Sequence, residues 1–344
     1  MSLFSLSRLQ WSARQQQTWR GQSARTGALF LCVLILVLAA CDLGNSGQSG
    51  QHQTIQTDSG SAITYSTAPQ DVLVRLFFGG GKVGRLELTP EISIYGDGTF
   101  LIGPGLQLQQ GTLSSGELQN LLHTLTSTDN LLQLHRQTFN DIPDQNATLL
   151  QLALNGRSYQ FLYGQFGHLQ ESSQDMHEYQ QLGNAISAVR NALSGPEKAY
   201  SSKQMALLVY QTFRADFSLA QNQALPYWPL SDISLANTAV YECGAIPPDL
   251  TGPNADNGCL TYTVPRVAYL PSQQDLRVIQ EALHGKQQGM FMENNSHFVV
   301  MLRPLLPDEL AQKQLAMYGS NTQTYAPVPL KEGTIPVPTE TPRA

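Results

Sequence analysis

Leu150-Gln151-Leu152-Ala153-Leu154-Asn155-Gly156-Arg157-Ser158-Tyr159-Gln160-Phe161 decides the architecture of this chain. Two strand-like runs flank Asn155-Gly156, a pair that accepts positive φ at both central positions of a two-residue hairpin turn. That turn sets the register. Leu152 faces Tyr159 and Leu150 faces Phe161, so the four share one side of a sheet, as a core-facing pair of strands requires.

Upstream, Val72-Leu73-Val74-Arg75-Leu76-Phe77-Phe78 reads as a strand that Gly79-Gly80-Gly81 is expected to break. Residues 84–88 and 92–95 continue in strand-like alternation. Gly96-Asp97-Gly98 supplies a tight turn, and residues 100–108 read as the returning strand. A helix then opens on a capping box, Ser114 with Glu117, stapled by Leu113 and Leu118. Leu118, Leu121, Leu122 and Leu125 make its apolar face. Downstream of the hairpin, a helix is expected from Asp175, with Glu178 completing its start. Met176, Tyr179, Leu182, Ile186, Val189 and Leu193 form its core stripe. Ser194-Gly195-Pro196 ends that pattern and marks a domain boundary.

Beyond the boundary, residues 205–213 and 261–270 read as strands, with Pro265 placing the second at an edge or bulge. Ser272 starts a short helix carrying Leu276, Ile279 and Leu283, which His284-Gly285 ends. Residues 290–292 and 297–302 read as a hairpin around Glu293-Asn294-Asn295-Ser296. The expected fold is α+β, with two small domains of antiparallel sheet and packed helices at residues 71–195 and 196–319. Residues 41–70, rich in Gly, Ser, Gln and Thr, read as a flexible tether, and residues 320–344 as a disordered Pro/Thr-rich tail.

The first forty residues carry Arg8, Arg14, Arg20 and Arg25 and no acid, then an apolar run over residues 29–40. That is the pattern of a cleaved signal peptide, and the run is shorter than the roughly 20 residues a membrane span needs. Of the 20 Lys and Arg, these four leave with the signal. The remaining 16 against 26 Asp and Glu give −10. With no basic stripe left, nucleic acid is not an expected partner. Charged residues are 13% of the chain, below the ~25% of ordinary domains. The four cysteines fit export: Cys32 lies in the signal and Cys41 at its end, so Cys243 and Cys259 remain and are expected to pair as a disulfide. A loop of that length gains roughly 3 kcal/mol from such a bridge.

No reaction is named by a motif. Gly79-x-Gly81-x-x-Gly84 matches the dinucleotide fingerprint letter by letter, but the fingerprint needs a helix opening on its glycines, and residues 85–88 alternate like a strand. Lys82 hints at a phosphate loop, yet no Ser or Thr follows it. The segment reads as a hairpin loop. Phe77, Phe78, Gly79, Gly80, Gly81 and Lys82 are the candidate partner-contact surface. The seven histidines are scattered without metal-ligand spacing, and no Gly-x-Ser-x-Gly elbow exists. Trp228, beside Tyr227, is an exposed-aromatic candidate whose plainer use is core packing. No cofactor, metal or catalytic residue is expected.

Leu38-Ala39-Ala40-Cys41 resembles the bacterial lipobox. The resemblance implies cleavage before Cys41 and diacylation of its thiol, hence a membrane partner through the acylated N-terminus. More than one acyl chain is what stable anchoring takes. Ile94-Tyr95-Gly96-Asp97-Gly98, Gly111-Thr112-Leu113-Ser114 and the Asn155-Gly156 hairpin resemble exported lipoproteins of environmental bacteria that have no assigned activity. Val299-Val300-Met301-Leu302-Arg303-Pro304-Leu305-Leu306-Pro307-Asp308-Glu309 resembles the end of the same group. The element order of residues 71–195 is similar to emfourin-type metallopeptidase inhibitors. The expectation is a non-catalytic binding or scaffolding protein, lipid-anchored on the extracytoplasmic face of the cell membrane, with a protein or cell-surface ligand. A peptidase inhibitor built on the first domain and a hydrolase with a site assembled through space are the alternatives.

Overall fold

Alternating apolar residues build two large, mostly antiparallel sheets. Helices pack on them, which places the chain in the broad α+β class. The structure, a computed structural model, describes residues 52–56, 62–80, 89–103, 105–142, 145–193, 195–196, 198–212, 225–241, 267–319 and 324–332. The signal segment, Cys41, Gly81, Lys82, residues 84–88, Cys243 and Cys259 lie outside the described residues.

A small hairpin comes first, β1 (His52–Gln56) with β2 (Ala62–Ser66). The first large sheet draws on β3 (Val72–Gly80), β4 (Ile92–Tyr95), β5 (Thr99–Ile102) and β6 (Gln109–Thr112). After α1 (Ser115–His123) come β7 (Thr138–Phe139), β8 (Asn146–Leu154) and β9 (Arg157–Tyr163), then α2 (Ser173–Ala192) and β10 (Lys198–Ala199). Its strand order is β10-β6-β5-β4-β3-β8-β9-β7. Asn155 and Gly156 both have positive φ, at 55° and 66°. The strands they join pair Leu150 with Phe161 and Leu152 with Tyr159, as the turn requires. Gly98, at φ 86°, closes the Gly96-Asp97-Gly98 turn, where Asp97 accepts the Thr99 amide. The Ser114–Glu117 capping box is present in full. One face of this sheet meets α1 and α2 in a core of Val74, Leu76, Leu122, Leu150, Phe161 and Ile186.

The second sheet contains β11 (Met205–Thr212), β12 (Ala239–Tyr241) after α3 (Leu235–Thr238), and β13 (Ala268–Leu270). Beyond α4 (Gln273–Ala282) lie the hairpin β14 (Gln288–Glu293) and β15 (Ser296–Pro304), then α5 (Pro307–Gln312), β16 (Gln314–Gly319) and β17 (Thr324–Glu332). Its order is β14-β15-β11-β13-β17-β16, with β12 beside β11. Ser272 caps α4, and Asn294 and Asn295, at φ 48° and 64°, make a second two-residue hairpin turn. β11 and β15 are buried on both faces, which explains their near-continuous apolar runs.

Five details differ from the sequence reading. Part of the expected tether is strand: Ile63 and Tyr65 alternate into the first core, and Asn155 ties β2 down by accepting the Thr64 amide at 2.7 Å and donating its own amide to the Thr64 carbonyl. β3 does not break at the glycines; Gly79 and Gly80 pair with Ala147 and Asn146, since a long partner strand outweighs weak local propensity. The expected strand over residues 100–108 ends at Ile102 with β5, and the next strand, β6, starts only at Gln109, after Gly105 turns at φ 95°. α2 begins after Ser172, whose hydroxyl caps the Asp175 amide, and not at Asp175. The expected disordered tail contains β17, whose Val328 is buried.

Candidate functional site

The face of the first sheet turned away from α1 and α2 carries a graded pattern. Phe77, Leu149 and Leu162 lie side by side across β3, β8 and β9, and Ala316 of β16 packs with them. One row along, Ser93, Arg75, Gln151 and Gln160 lie side by side across β4, β3, β8 and β9. Next to them, Ala153 faces Ser158. The apolar row is covered by the second half of the chain. At the β8–β9 end the polar rows are left open, and Gln151, Gln160, Ala153 and Ser158 floor a cleft of about 470 Å³ that reaches Arg75.

Two buried charges meet at that floor. Arg75 donates through Nε to the Ser93 hydroxyl at 3.1 Å and through Nη2 to Asp308 Oδ1 at 2.8 Å. Tyr95 donates its hydroxyl to the same oxygen at 3.0 Å. Burial, and next the Asp308 carboxylate, hold the Tyr95 phenol well above its ordinary range, so it stays a donor. Among the described residues, Asp308 Oδ2 makes no hydrogen bond.

Asp308 owes its position to its neighbour. It sits in the first turn of α5, and α5 is pinned by Glu309. Arg303, fully buried on β15, donates both terminal nitrogens to Glu309 at 2.6 Å, and Glu309 also accepts the amides of Leu306 and Ala316. Every Glu309 oxygen is thus held twice, which offsets the desolvation of a buried ion pair. Tyr200 to the Leu305 carbonyl, at 2.7 Å, and Gln287 to the Leu106 carbonyl, at 2.8 Å, add further ties between the halves. Contacts gather Ser49–Ala344 into one compact unit.

The cleft rim comes from the hairpin and its surroundings. Asp71, whose carboxylate accepts the Ser66 hydroxyl at 2.6 Å, stands on one side; Arg157 and Gln312 stand on others. The Asn155-Gly156 turn lines one end.

A second polar cluster lies at the start of α2. His135 places Nδ1 2.5 Å from Glu178 and Nε2 3.2 Å from Asp175. The bond to Glu178 raises the imidazole above its ordinary pKa. Burial pushes the Glu178 carboxyl up, but its bonds from the His135 ring, the His135 and Arg136 amides and Gln174 outweigh burial and leave it low. Glu178 is therefore a clasp on His135, not a cap of α2. Arg136 stacks over Phe166, 4.7 Å from its centroid, and so secures the same loop.

Of the expected partner-contact residues, Gly81 and Lys82 lie outside the described residues, and the others differ in their surroundings. Phe77 is buried against Leu149 and Ala316, because alternation turns it toward the second half. Phe78 points the other way and is 45% exposed. Gly79 and Gly80 are strand residues. Trp228 is partly buried: it donates to the Ile233 carbonyl at 2.7 Å and meets Phe291 edge-on, while its neighbour Tyr227 is the exposed one. Sequence reasoning missed Arg75 and Asp308. The available signal was Arg75 itself, one charge inside an otherwise apolar strand. Among the described residues, no three His, Cys, Asp or Glu gather as a metal-holding group, and no helix is long and apolar enough to cross a membrane.

Comparison with known proteins returns no matching family model, no matching curated protein and no matching solved structure.

Proposed function

We propose that this is a binding protein, lipid-anchored through Cys41 on the extracytoplasmic face of the cell membrane, which uses the cleft over Arg75 and Asp308 to hold its ligand. Two α+β domains, one on each large sheet, and a Cys243–Cys259 disulfide belong to the same reading. The observation that carries it is the cleft: a volume within the range of about 300–1,000 Å³ typical of ligand sites, with convergent polar groups on a rigid sheet. Arg75, Asp308 and Tyr95 are already engaged in joining the two halves, which suits recognition better than turnover.

Complementation tests the reading. A chromosomal deletion is restored with wild type, Cys41→Ser or Ala153→Trp, the last filling the cleft from an open sheet position. Wild type should label with palmitate, sediment with membranes and restore the phenotype. Cys41→Ser should lose label and sedimentation. Ala153→Trp should keep both and still behave as the deletion. Full rescue by Ala153→Trp would remove the cleft from the function, and palmitate labelling of Cys41→Ser would remove the anchor.

A further inference from the structure

The cleft is electrically balanced. Asp71 and Asp308 stand against Arg75 and Arg157, and most of its other polar side chains are neutral amides and hydroxyls. An ion entering it meets a like charge for each opposite one, so charge complementarity selects neither anion nor cation. Amides and hydroxyls both donate and accept, which suits a ligand whose own groups do both. Gln151 and Gln160 are cross-strand neighbours, so their carboxamides rise side by side from a rigid sheet. Between these groups the apolar side chain that opens onto the cleft is Ala153, while Leu73 and Leu152 reach it only at the backbone and bury their side chains in the helix-side core. Asp308 Oδ2, at the floor, adds a strong acceptor whose charge Arg75 already balances.

Alternating hydroxyls and C–H faces, without net charge, describe one chemical class. We infer that the cleft takes a neutral saccharide, with a sugar hydroxyl donating to Asp308 Oδ2 and others bridging the Gln151 and Gln160 carboxamides. The inference rests on the binding reading above and narrows it to a ligand class.

Calorimetry on the full acylated chain in lauryl dimethylamine oxide, a detergent without a sugar head, is the test. Maltotriose, cellotriose and triacetylchitotriose are the neutral probes; inorganic phosphate and putrescine are the charged ones. At least one neutral probe should give saturable heat that Ala153→Trp weakens by more than about tenfold. Gln160→Leu, which removes one rim carboxamide, should raise Kd about fivefold, the equivalent of one net hydrogen bond. Circular dichroism of both variants should match wild type. No saturable heat from any neutral probe overturns the inference, as does neutral binding that Ala153→Trp leaves intact. Saturation by phosphate or putrescine alone, abolished by Ala153→Trp, also overturns it while leaving the binding reading in place. Loss of rescue by Ala153→Trp in cells, combined with calorimetric silence, separates the two in the same way.

Discussion

Replacing Asp308 with Ala should be far more damaging than its single carboxylate suggests. The change removes the acceptor of two buried donors, Arg75 Nη2 at 2.8 Å and the Tyr95 hydroxyl at 3.0 Å. Both side chains stay where the sheets pack, with Arg75 only 3% exposed and Tyr95 fully covered. Removing one partner of a buried ion pair costs about 3–5 kcal/mol, at the low end here because Arg75 keeps its bond to Ser93, and the unsatisfied Tyr95 hydroxyl adds to that where it cannot turn to water. We expect a loss of about 4 kcal/mol in urea unfolding followed by intrinsic fluorescence. Arg75→Met should lose a similar amount, because it strands the carboxylate instead. The double variant removes both members of the pair and should recover about 2 kcal/mol relative to the sum, within the roughly 0.5–3 kcal/mol seen for residues in direct contact. A coupling below about 0.5 kcal/mol would mean that water substitutes freely for either partner and would refute the pair as a stabilising tie between the sheets.

Two other outcomes concern the ends of the molecule's elements. Because its folded-state pKa is raised, His135 contributes stability that is fully present below the ordinary histidine pKa and lost as pH rises through the folded value. The His135 ring resonance should therefore titrate above the range of free histidine, and Glu178→Gln should lower its midpoint; equal midpoints in the two proteins would dismiss the clasp. Val328→Asp places a charge in a buried site of β17 and should lower stability by more than about 3 kcal/mol, whereas an unchanged urea midpoint would mean that residues 324–332 make no sheet.

Local chemistry was legible and distant pairing was not. Asn155-Gly156 admits one tight turn, so two adjacent residues suffice to fix the register of the strands around them, and Ser114 with Glu117 announced α1 through bonds three residues apart. β1 and β2 were hidden by polar composition: Ile63 and Tyr65 enter the core with Ile55 packed against it, and Thr64 between them binds a turn about ninety positions away. β17 was hidden by its prolines. Leu330 donates to the Lys313 carbonyl, so the even-numbered residues face β16, and Pro327 and Pro329 turn their missing N–H to the other side. The cleft was invisible for the same reason. Its Arg75, Gln151 and Gln160 come from three strands, and Asp308 arrives from a helix 233 positions beyond Arg75.

The position of β17 also bears on the order in which the molecule assembles. Every strand of the first sheet lies between residues 72 and 199, and its core is complete once α2 has formed. The second sheet is built differently: β17 runs between β13 and β16, parallel to one and antiparallel to the other. Until residues 324–332 arrive, β13 and β16 each present a bare edge, and Leu315 and Met317 lack the cover of Val328. A chain made from its N-terminus therefore holds one finished half beside one with open, adhesive edges. β17 can form a local hairpin with β16, but seating it on β13 joins Ala268 to Leu330, and that long-range docking should be the slow step of folding.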